Sequence, residues 1–161
     1  MTPNSEVIQD CLEDSGTDTE HHVTLKKMSP NILKRAKHQY LMGHGAAHPS
    51  GVSTYSHFHV AQKRELKPED IFSDARWKSF AADYVYKALL DELQDMIQTD
   101  LADVSEQIST TKLWQMTPSS LNIQFNSYDV APYVSGPQEV QIPWSKLKSY
   151  LSPFAKKELK L

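Results

Sequence analysis

All seven histidines of the chain, His21, His22, His38, His44, His48, His57 and His59, fall between positions 21 and 59. Imidazole is the commonest neutral metal ligand, so such a cluster is the first place to look for chemistry. His57 and His59, two residues apart, share one face of a strand, and His44 and His48 lie on the loop before it. Together these four could hold zinc and serve a hydrolase. The spacing argues otherwise, because the chain has no His-Glu-x-x-His and no Cys-x-x-Cys pattern. The histidines therefore read as surface or hydrogen-bonding residues, with no metal and no other cofactor expected.

Nucleophilic catalysis is equally poorly served. The single cysteine, Cys11, sits in an acidic N-terminal stretch, and no Gly-x-Ser-x-Gly elbow occurs. The acid pairs Glu69/Asp70 and Asp91/Glu92 suit a helix start and a solvated helix face better than a glycosidase pair. The run GHGAAHPSG at 43–51 lacks the lysine of a phosphate-cradling loop. A non-catalytic protein is the expectation.

One charge pattern survives. Between Ala88 and Thr111 there are six acids, Asp91, Glu92, Asp95, Asp100, Asp103 and Glu106, and no Lys or Arg. Such a patch is either an ordinary solvated surface or one that steers a basic protein into contact. The net charge of −3, with no basic run interleaved with aromatics, speaks against nucleic acid as a partner. No apolar stretch approaches the roughly 18 residues of a membrane span, and Met1–Asp10 does not resemble a secretion signal. The expected location is extracytoplasmic, in the periplasm or cell envelope, if a leader has been removed, and cytoplasmic otherwise.

The elements that would position these residues are legible in part. Residues 1–20 carry six acids and no Lys or Arg, and read as a flexible acidic arm ahead of one domain over 21–161. Val23, Leu25 and Met28 alternate with polar residues until Ser-Pro-Asn breaks the strand, and residues 55–60 alternate likewise. Leu66 to Phe72 holds an early proline followed by acids, which suits a short helical turn, with Ser73 as the cap of a second helix. Trp77, Phe80, Ala81, Tyr84, Val85, Ala88, Leu89, Leu93, Met96 and Ile97 recur at three and four, predicting a long helix over about 73–98. Residues 113–116 and 121–125 form a hairpin through Thr117–Ser120, an irregular loop spans 126–138, and Val140, Ile142 and Trp144 alternate until Ser145 caps a short C-terminal helix. The fold class is α+β, a single domain built mainly on antiparallel sheet.

Three linked motifs resemble the RsiV-like C-terminal domain family: Gly45-Ala46-Ala47-His48-Pro49 before a strand; Leu66-Lys67-Pro68-Glu69-Asp70-Ile71-Phe72; and Leu121 to Tyr133 (LNIQFNSYDVAPY) followed by Gly136 and Val140-Gln141-Ile142-Pro143-Trp144. The resemblance covers roughly Tyr40 to Leu151, and Tyr-x-x-Ala-Pro-Tyr is its most specific part. It implies a cell-envelope protein whose activity is binding rather than turnover. In the anti-sigma factor that gives the family its name, this domain binds lysozyme in its substrate cleft. The chain departs from the family in lacking the usual longer preceding region. Read on their own, Pro132 and Pro137 restrict the loop, and Tyr128 and Tyr133 supply flat apolar bodies with polar tips. Either those tyrosines pin the loop to the sheet or one faces a partner.

The expected function is thus a domain that recognises, and inhibits or senses, a lysozyme-like muramidase through Tyr128, Tyr133 and the six acids. The alternative is an immunity protein that neutralises a basic bacterial toxin by covering its active site.

Overall fold

The computed structural model describes residues 16–161. Most of the expected arm, Cys11 included, lies outside the described residues; its last four, Thr17–Glu20, begin a strand. Strands β1 (Thr17–Ser29), β2 (Ile32–Gly43), β3 (Ser50–His59) and β4 (Arg64–Glu65) form an antiparallel sheet in that order. Pro30 and Asn31 make the first turn, and β1 and β2 stay paired from Ser29↔Ile32 out to Thr17↔Gly43. Strand β2 is scarcely visible in the sequence because only Ile32 and Ala36 of its residues are buried, so it lacks a period-two apolar signal.

A second antiparallel sheet, β5 (Trp114–Met116), β6 (Ser120–Phe125) and β7 (Gln138–Pro143), has β6 at its centre. The Thr117 hydroxyl accepts from Ser120 N at 3.0 Å and fixes the expected turn. Leu121, Ile123 and Phe125 are fully buried, and Ser120 and Asn122 on the opposite face are buried and bonded to each other at 2.6 Å. The architecture is α+β as expected, with the sheet divided in two.

Among the described residues five helices complete it: α1 (Pro68–Ile71), α2 (Trp77–Leu93), α3 (Leu101–Gln107), α4 (Trp144–Leu147) and α5 (Pro153–Leu159). The long helix starts four residues later than its periodicity predicts. Ser73 caps nothing there: Arg76 is the N-cap, the Ser73 hydroxyl donates to Leu151 O at 3.4 Å, and the Asp74 carboxylate holds Arg76 N at 3.0 Å. At its other end Gln94 turns out of the helix with φ of 50°. Helix α4 follows Pro143 directly and owes nothing to Ser145, whereas Ser152 caps α5 by accepting from Ala155 N at 3.0 Å.

Helix α2 buries Trp77, Ala81, Ala82, Val85, Leu89 and Leu93 in the same core as β6. Trp77 stacks on Phe72 at 4.3 Å and meets Trp114 edge-on at 5.4 Å, favourable geometries for aromatic pairs. The turn of the first hairpin is tied to α5 by Glu158, whose carboxylate accepts from the Ser29 hydroxyl at 2.6 Å and from Asn31 Nδ2 at 3.0 Å.

His57 on β3 is 1% exposed, and among the described residues neither ring nitrogen has a hydrogen-bond partner. Burial, helped by Lys34 on the neighbouring strand, pushes its pKa down from 6.5 to about 4. The folded state therefore binds this proton less readily than the unfolded chain. The ring's contribution to stability is whole above pH 6.5 and is lost as pH falls through about 4. The slope is at most about 1.4 kcal/mol per pH unit. In urea titrations the stability difference between wild type and His57→Leu should shift in favour of the variant from near pH 7 to about pH 4.5. A difference that stays constant across that range would show that His57 is not protonated on unfolding.

Candidate functional site

The most specific sequence motif becomes the loop that leaves β6. Its first residue ties it down on both sides. Asn126 N donates to the Asp129 carboxylate at 2.7 Å, Asp129 N returns a bond to Asn126 O at 3.1 Å, and the Asn126 side-chain oxygen accepts from Ser53 N of β3 at 2.6 Å. Further on, Gln98 N donates to Val130 O at 2.8 Å, and Val130 and Ala131 are buried. The loop is ordered and lies against the end of β3, so its prolines and these bonds leave it few conformations.

The two tyrosines part company. Tyr133 is half-buried and its ring stacks on His48 at 3.8 Å, 14° from parallel. Tyr128 is 60% exposed, and its hydroxyl lies 3.2 Å from His48 Nε2. Tyr133 thus packs on the domain, whereas Tyr128 faces solvent. Tyr128 also adopts φ of 73°, a left-handed conformation that costs a residue bearing Cβ about 1–2 kcal/mol. Beyond Tyr133 the chain makes a single 3-10 turn at Tyr133–Ser135, on which Val134 is 85% exposed. Sequence reasoning missed His48 as the platform for both tyrosines; the one signal was its place in the Gly45–Pro49 motif.

The acids of the acidic segment lie on two helices and the stretch between them. Asp91 and Glu92 end α2, Asp95 lies in the 3-10 turn Gln94–Met96, and Asp103 and Glu106 are on α3. Asp100 accepts from Asp103 N at 2.9 Å, so its carboxylate caps α3. All six are exposed, and among the described residues none pairs with a Lys or Arg. Asp103 and Glu106 line a hollow of about 470 Å³ together with Lys112, Asn126 and Asp129, which makes the acids on α3 continuous with the loop. Glu92 faces elsewhere, lining a hollow with Tyr84, Gln138 and Glu139. On the loop's other side a groove of about 370 Å³ is lined by His38, Tyr40, Val52, Asn126, Tyr133 and Pro137.

The four histidines considered as zinc ligands are dispersed. His48 serves the tyrosines, His44 lies 3.6 Å from the Asp18 carboxylate, and His59 stacks on Phe154 at 4.6 Å while His57 is enclosed by the core. Among the described residues no three His, Cys, Asp or Glu side chains are grouped as a metal site.

The family described as "Protein of unknown function (DUF3298)" matches residues 69–145, a stretch that holds the acidic segment, β6 and the loop. No curated protein matches the chain. A solved member of the DUF3298 family from Bacteroides fragilis NCTC 9343 is 20% identical with a TM-score of 0.66, covering 97% of this chain and 64% of that one. A DUF3298 family protein from Pseudomonas aeruginosa PAO1 is 16% identical with a TM-score of 0.64, covering 94% of this chain and 70% of that one. At these identities the shared property is the fold, and DUF3298 is a coarser description than the RsiV-like resemblance.

A bulky ring held exposed in a costly backbone conformation points to a role outside folding. Tyr128→Asn, with a side chain that tolerates φ near +73°, should leave the melting temperature unchanged or raise it, by up to about 1 kcal/mol of stability. A clear fall in Tm would instead make Tyr128 a structural residue.

Proposed function

We propose that this chain is a non-catalytic protein-binding domain that recognises a basic, lysozyme-like muramidase through the loop at 126–137 and the adjoining acids. The observation that carries the reading is the loop itself. It is fixed by Asn126 and by the His48–Tyr133 stack, yet it presents Tyr128 and Val134 to solvent. Rigid aromatic and apolar groups on a preorganised loop make good anchors, because little rotamer freedom is lost on binding. Unpaired acids beside them supply attraction toward a basic surface and hasten encounter. The choice of a muramidase rests on the resemblance of the Tyr-x-x-Ala-Pro-Tyr segment to the RsiV-like domain, and with it comes an extracytoplasmic setting.

Mixed with lysozyme at low salt, at concentrations on the order of tens of micromolar, the domain should elute as a complex. Two separate peaks would end the muramidase reading, and a complex with a basic nuclease toxin in their place would move the protein to the immunity class. Tyr128→Asn should weaken the complex by about 1–3 kcal/mol, as an interface anchor does. Asp103→Lys with Glu106→Lys should slow association and flatten its salt dependence.

A further inference from the structure

At the opposite end of the first hairpin the sheet assembles positive charge for which neither the fold nor the proposed interface has a use. Lys26 of β1 stands directly opposite Lys34 of β2, and Lys34 directly opposite His57 of β3, so the three side chains form one row on one face of the sheet. Like charges directly across a ladder oppose pairing. Lys34 is partly buried, and burial together with the Lys26 charge holds its pKa below the usual lysine range.

These lysines border a pocket of about 320 Å³ between the hairpin, the β5–β6 turn and the end of α5. Lys27 and Lys160 line it as well, while Met28, Met116, Pro118 and Leu159 give it apolar walls. One carboxylate is present, that of Glu158; it accepts from Ser29 and Asn31 and keeps its charge, which leaves the four lysines in excess. Among the described residues none of the four lysines forms an ion pair, and the Lys34 ammonium donates only to Met116 O, at 3.3 Å. The carbonyls that end α5 would repel an anion. Those of Lys156 and Lys157 are occupied, accepting from the backbone amides of Leu161 and Lys160.

We propose that this pocket binds a small organic carboxylate, its charge between Lys26 and Lys34 and its apolar body against Met28, Met116 and Leu159. An anion there removes the like-charge conflict between the two strands and gives Lys34 the partner it lacks. The apolar walls select a carboxylate carried on a hydrocarbon body over a bare inorganic anion. A free acyl chain and the C-terminal carboxylate of a peptide share this chemistry.

The test is a titration of the full chain, labelled at its methionine methyl groups, with octanoate and with N-acetyl-leucine, following the Met28 and Met116 signals by NMR. Saturable shifts with at least one of them are expected, and the tighter of the two identifies the source. Octanol and acetate should each bind about tenfold more weakly, and so should octanoate to Lys34→Met, the loss expected when one charge-assisted contact is removed. Lys26→Gln, at an exposed position, repeats the measurement where folding is not in question. Absent shifts, octanol binding as well as octanoate, or both variants binding like wild type would overturn the site.

Discussion

Strand β6 is the constraint around which the other elements are arranged. Five of its six residues are buried, so both of its faces must be covered and both of its edges paired, or its backbone and apolar side chains would be left exposed to solvent. Strands β5 and β7 take the edges. Helix α2 contributes Val85, Leu89 and Leu93 to the core that Leu121, Ile123 and Phe125 enter, and α3 adds Val104. Ser120 and Asn122 can be buried on the other face because they satisfy each other and Asn122 also donates to Glu139. The strand then releases the chain at Asn126, at the end of its most rigid segment, which is where a preorganised loop is best rooted.

That rooting explains how two remote motifs become one surface. His48 lies 80 residues from Tyr128 in sequence, and Ser53 lies 73 from Asn126. Both contacts exist because β3 and the loop leaving β6 come together at one end of the domain. The cost of the left-handed Tyr128 is carried by a loop whose ends are already fixed, so strain there does not open the fold.

Charge is sorted along the molecule. Acids without an ion pair lie on α2, α3 and the turn between them, those on α3 next to the loop, and lysines without an ion pair flank the turn of the first hairpin and end α5. A net charge of −3 conceals this separation. One small domain thus carries two surfaces of opposite charge.

The sequence alone determined the α+β class, the long helix, the β5–β6 hairpin and the acidic segment, because each is a local pattern: an apolar period of three to four, strict alternation, a turn residue, or a run of one charge sign. It could not separate Tyr128 from Tyr133, since both are tyrosines in one irregular loop and only the folded chain stacks His48 flat on Tyr133 while meeting Tyr128 at its hydroxyl. It could not place Lys26 opposite Lys34, because register is set by the pairing of whole strands. Nor could it show that β2 is a strand at all, since a strand with one thinly populated apolar face is recognised only once its neighbours are paired to it. Those features belong to the tertiary structure, which alone brings distant residues to a common face and decides which of them water can reach.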